Sequence, residues 1–61
     1  MIYTIFITTY REERFTEKIY GFGDATKRVA ELTHCDNIQA IDVMNNETGE
    51  LIFMYKDGEV L

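Results

Sequence analysis

The sequence predicts a small two-layer α+β domain: one helix packed on one face of an antiparallel sheet of about four strands, in ββαββ order. Three observations carry this. Residues 38–55, IQAIDVMNNETGELIFMY, read as a β-hairpin. Residues 2–9, IYTIFITT, are β-branched or aromatic throughout, as a strand prefers. Between them, Ala25, Val29 and Leu32 fall at helical spacing behind a capping residue, Asp24.

Taken in order, the first run has apolar groups on both faces, Tyr3, Ile5 and Ile7 on one, Ile2 and Phe6 on the other. Such a run suits a central strand covered on both sides. Residues 10–14, YREER, form a charged turn, and residues 15–20, FTEKIY, a half-exposed strand. In the latter Phe15, Glu17 and Ile19 alternate with Thr16, Lys18 and Tyr20. Gly21, Phe22 and Gly23 break the pattern, and Asp24 is placed to accept from the first free N–H groups of a helix. The helix carries a narrow apolar stripe and ends at Asp36-Asn37, Asn tolerating the left-handed cap. Lys27 and Glu31 stand four apart in the less favourable order and add little.

The hairpin rests on its turn. Asn46 opens a type I turn and Gly49 takes the left-handed position, giving a three-residue loop with Asn46 opposite Glu50. That register pairs Val43 with Phe53 and Ile41 with Tyr55 on a core face. It pairs Met44 with Ile52, Asp42 with Met54 and Ala40 with Lys56 on the other. Asp57-Gly58 makes a further turn that returns Val60 and Leu61 to the sheet edge.

Sixty-one residues make a single domain, 1–61, and 46% hydrophobic content with four Tyr and four Phe argues for a packed core over disorder. A core this small seldom supplies more than about 3–5 kcal/mol by itself. The lone Cys35 forms no internal disulfide, and no Cys/His cluster offers a metal site, so self-association as a homodimer is the expected support. No apolar run reaches membrane-spanning length, and the opening lacks a basic region and cleavage site. One unpaired cysteine fits a reducing, cytoplasmic setting. From the initial Met and the ordinary ending, the expectation is a complete small gene product.

The net charge of −5 is uneven. Residues 1–30 hold five basic groups against four acids, net +1; residues 31–61 hold Lys56 against seven acids, net −6. Phosphate-backbone binding needs a cationic footprint, which disfavours nucleic acid, whereas an anionic face suits a basic partner.

Chemical motifs are sparse. Tyr20-Gly21-Phe22-Gly23-Asp24 leads into a helix start but lacks the glycine spacing and lysine of a phosphate loop, and Asp24 would repel the anion. Thr33-His34-Cys35-Asp36 gathers a base, a thiol and a carboxylate. Catalysis needs such groups converging in space, which neighbours at a helix end do not do. His34 reads as a helix-end group and Cys35 as a small buried filler. The eight Tyr and Phe fall at strand spacing, so core packing explains them better than a stacking platform. No catalytic, cofactor-binding or metal residue is therefore assigned.

What remains is an interaction surface: Met44, Ile52 and Met54 on the face away from the helix, rimmed by Asp42, Glu47 and Glu50. Asp57 and Glu59 extend the acidic set. The expectation is a non-enzymatic interaction module, an acidic regulator or inhibitor of a basic protein. The alternative is a small nucleic-acid or nucleotide binder using the edge from Arg11 to Lys18 and exposed aromatics. The general look is similar to that of small α+β proteins of bacteria and their phages, a resemblance that carries no functional residue across.

Overall fold

A computed structural model of the chain describes all 61 residues and contains one sheet with one helix against it. The elements are β1 (Ile2–Thr9), β2 (Arg14–Tyr20), α1 (Phe22–Thr33), β3 (Ile38–Asn45), β4 (Leu51–Lys56) and β5 (Glu59–Val60). The strand order is β2-β1-β3-β4-β5, and every neighbouring pair is antiparallel. The α+β class and the ββαββ order hold, with a two-residue fifth strand added to the four expected.

Period-two alternation decides which side chains make the core. From β1, Tyr3, Ile5 and Ile7 face α1; from β3, Ile41 and Val43 join them, each opposite its β1 partner. Ala25 and Leu32 descend from the helix, Ile38 enters from the start of β3, and Ile19, Val29, Phe53 and Tyr55 pack around the margin. Ile5 and Ile41 are wholly enclosed, at 0% exposure. Residues 15–20 are indeed a strand, with Phe15, Glu17 and Ile19 opposite Ile7, Ile5 and Tyr3 on the helix side.

Every buried side-chain polar atom has a partner. Thr4 donates from Oγ1 to Asn46 Oδ1 at 2.7 Å, tying β1 to the β3–β4 turn. Thr9 Oγ1 accepts the Glu13 backbone N–H at 3.2 Å and closes the β1–β2 loop. In that loop Glu12 takes a left-handed φ of 65°. Asp57 and Gly58 both have positive φ, 50° and 86°, as a two-residue hairpin turn between right-twisted strands requires.

Several expectations are corrected. The helix begins at Phe22 rather than after Asp24: Gly21, at φ 92°, turns the chain directly from β2 into the helix. Glycine alone adopts that angle freely. Asp24 lies in the first turn, where its charge still opposes the positive helix end. At the other end, His34 and Cys35 donate backbone N–H groups to the carbonyls of Glu31 and Leu32, closing the helix by short bonds. Asn37 is not left-handed. Cys35 is exposed rather than a buried filler, its Sγ 3.7 Å from the Glu31 carbonyl oxygen. β1 is covered on one face only.

The largest correction lies in the opening hairpin. Val43–Phe53, Ile41–Tyr55, Asp42–Met54 and Ala40–Lys56 pair as expected, but Met44 pairs with Leu51 instead of Ile52. Asn45, not Asn46, closes the loop. Its N–H donates to the Glu50 carbonyl at 2.9 Å, its carbonyl accepts from Gly49 at 2.7 Å, and its Oδ1 accepts from Glu47 at 2.9 Å. The loop therefore has four residues, and the surplus residue appears as a β-bulge at Ile52.

Removing Ile41 side-chain bulk should cost about 2–5 kcal/mol, comparable with the whole margin of a core this size. Ile41→Ala is therefore expected to be largely unfolded at room temperature by urea titration followed by circular dichroism. A loss below about 1 kcal/mol would place Ile41 outside the core.

Candidate interaction surface

The sheet face turned away from α1 can be assembled from the pairing alone, because directly opposed residues share a face. Four rows cross it. Tyr20 stands beside Ile2; Lys18 beside Thr4, Met44 and Leu51; Thr16 beside Phe6, Asp42 and Met54; Arg14 beside Thr8, Ala40, Lys56 and Glu59. No helix packs on this side, since α1 meets β1, β2 and β3 through their other face, and the β3–β4 turn reaches it through the Thr4–Asn46 bond.

Met44 and Met54 are thus on the open face, as the sequence suggested, and Asp42 lies half-buried between Phe6 and Met54. Ile52 is not. The bulge turns it to the helix side, where it lines a groove with Phe53, Val43, Phe22, Ala25 and Val29. Leu51 takes its place beside Met44, and it is the residue that the sequence reading missed. Phe6 is 37% exposed in the middle of the face, and Met54, 38% exposed, ends the same row on β4.

Of the acids outside its centre, only Glu59, opposite Lys56 on the edge strand, borders this face. Glu47 lies in the β3–β4 turn with Glu50 just beyond it, while Asp57 and Glu59 sit at the opposite end of β4. Asp42 alone is central. The basic residues are placed differently: Arg14, Lys18 and Lys56 all share the open face, and none forms an ion pair within the chain. Arg11 is in the β1–β2 loop, in a polar depression with Thr9, Tyr10, Glu13 and Asn37.

The aromatics are dispersed. Phe6 and Tyr20 lie on the open face; Phe15 is on the helix side of the edge strand; Phe22 packs edge-on against Tyr3 at 5.9 Å. Tyr10 donates its hydroxyl to Asp57 at 3.1 Å, so the β1–β2 loop touches the β4–β5 turn, and this bond raises the Tyr10 pKa.

On the helix side one charged pair is well made. Arg28 donates from Nε and Nη2 to the two oxygens of Glu17, both at 2.8 Å, fixing α1 to β2. Hydrogen bonding to Arg28 holds the Glu17 carboxyl below its ordinary range. The groove on the far side of α1, about 180 Å³, is lined almost wholly by apolar groups. It exists because α1 reaches β1, β2 and β3 but not β4.

His34 and Cys35 are both exposed at the helix end. No cluster of three or more His, Cys, Asp or Glu side chains is placed to hold a metal ion. No helix is long and apolar enough to cross a membrane. No family model matches the chain, and neither a curated protein nor a solved structure is significantly similar to it.

The Glu17–Arg28 pair gives a pH test. A carboxyl with a depressed folded pKa contributes stability above its unfolded pKa and loses it as pH falls through the folded value. Wild type should therefore lose stability relative to Glu17→Gln as pH drops below the ordinary 4.5. The effect should be small, because both side chains are about one-third exposed. Parallel urea titrations at pH 7 and pH 3 measure it; a gap that does not change between them refutes the assignment.

Proposed function

We propose that this chain is a small non-enzymatic interaction module that docks another protein on its open sheet face. The observation that carries the reading is the uncovered cluster of Phe6, Met44, Leu51 and Met54 on a regular four-strand surface. Scattered exposed apolar groups are ordinary on any protein, but a contiguous patch marks a contact surface. Methionine suits such a surface because its flexible thioether adapts to the partner's shape. The exposed Cys35 fits a reducing, cytoplasmic setting.

The acidic-regulator form of the reading draws less support. Its acids are divided between two ends of β4 and a single central Asp42, so they offer no one anionic dock. The second reading, a nucleic-acid or nucleotide binder, is favoured by one observation: Arg14, Lys18, Phe6 and Tyr20 share a face. Gel-shift and nucleotide thermal-shift assays test it; silence in both removes it.

The homodimer belongs to the same proposal, the groove between α1 and β4 being the surface that a second copy would close. Light scattering at high protein concentration should report a dimer, and Ile52→Ser should shift it towards monomer. A monomeric wild type ends this part of the reading.

The docking face itself is tested by affinity capture from the source cell, with Phe6→Ser and Met54→Ser as comparisons. Both residues are partly exposed, so the variants should keep the wild-type unfolding midpoint while losing the captured protein. Equal capture by wild type and both variants would sink the proposal.

A further inference from the structure

Charge on the open face is opposite in sign to the molecule that carries it. The face holds Arg14, Lys18 and Lys56 against Asp42 and Glu59, the latter opposite Lys56, net +1. The rest of the chain holds three cations against nine acids, net −6. Of those three cations, Arg28 is already engaged by Glu17 and Glu31. Arg14 and Lys18 have no ion pair and stand opposite threonines, so their charge is free to act outward, while Lys56 stands opposite Glu59 without an ion pair.

We infer that the partner of the open face is an acidic protein segment bearing apolar anchors. This rests on the docking reading above and names the chemistry of what docks. Carboxylates would be drawn to Arg14, Lys18 and Lys56, and repelled by the surrounding surface. The apolar anchors would meet Phe6, Met44, Leu51 and Met54. Such a pattern orients the encounter and rejects approach from any other side.

The same observations exclude the other occupants. Two copies meeting through this face would bring six cations against four acids, a net positive seam that opposes self-contact. A nucleic acid fits less well than a peptide for two reasons. Its bases need stacking platforms, yet Phe6 is the sole aromatic in the middle of the face, with Asp42 directly beside it. Its continuous phosphate chain would also run beyond the three cations onto strongly negative surroundings. A short protein segment can end where the cations end.

The test uses the full chain and three probes: a short peptide alternating glutamate and leucine, one alternating lysine and leucine, and a thymidine oligonucleotide of similar length. Binding is followed by amide and methyl NMR at low and physiological salt. The glutamate–leucine peptide should shift Phe6, Asp42, Met44, Leu51 and Met54, and bind at least about tenfold tighter than the lysine–leucine peptide, or about 1.4 kcal/mol. Its affinity should fall with salt. The triple variant Arg14→Glu, Lys18→Glu, Lys56→Glu should reverse the preference between the peptides. The neutral Gln triple should abolish it, which covers the case of a misfolded reversal variant.

Undiminished glutamate–leucine binding by the charge variants, with loss in Phe6→Ser and Met54→Ser, overturns the anionic inference and leaves the docking face intact. A response to the oligonucleotide alone replaces the peptide partner with a nucleic acid. If no probe moves a resonance on the open face, the inference fails, and the capture experiment separately decides the docking reading.

Discussion

A twelve-residue helix cannot cover a five-stranded sheet, and most of what distinguishes this molecule follows from that shortfall. The helix must lie over some strands and leave others. Its bidentate Arg28–Glu17 bond draws it towards β2, and the Ala25, Val29 and Leu32 stripe settles over β1 and β3. β4 is left beyond its reach, which opens the apolar groove, and the whole opposite face of the sheet is left bare. The two surfaces differ in kind. The groove is lined almost entirely by apolar side chains, whereas the bare face mixes apolar centres with cations. They suit different contacts for that reason.

Much of this was legible in the sequence because the signals were periodic. The continuous β-branched and aromatic run of residues 2–9, the alternation in residues 15–20, and the three-to-four spacing of Ala25, Val29 and Leu32 each report a segment that tertiary packing must bury. Those elements appear in the structure with nearly the expected bounds. The outer part of the β3–β4 register was equally readable, since Ile41 and Val43 needed apolar partners and found Tyr55 and Phe53.

What could not be read was set by single residues without periodicity. Two adjacent asparagines stood at the turn, and the choice of Asn45 over Asn46 as the closing residue depends on backbone bonds that no composition reveals. That one choice moved Ile52 to the other side of the sheet and brought Leu51 forward. The helix start depended likewise on Gly21 adopting a left-handed angle, so the side-chain cap expected from Asp24 was unnecessary. The charge division by sequence halves misled in a further way: it joined acids that the fold separates, and concealed that Lys56 lies in the same sheet row as Arg14.

The chain order of the strands has a kinetic consequence. β1 pairs with β2, and β3 with β4, through short loops, so each hairpin can form by itself within microseconds. The β1–β3 ladder joins residues as far apart as Tyr3 and Asn45, and the intervening chain must be closed before those contacts repay it. The core is complete only when the two hairpins, each marginal alone, come together with the helix between them. Until that docking, both halves expose Ile5, Ile7, Ile41 and Val43 along unpaired edges, and this interval is when the protein is most open to association with the wrong strand.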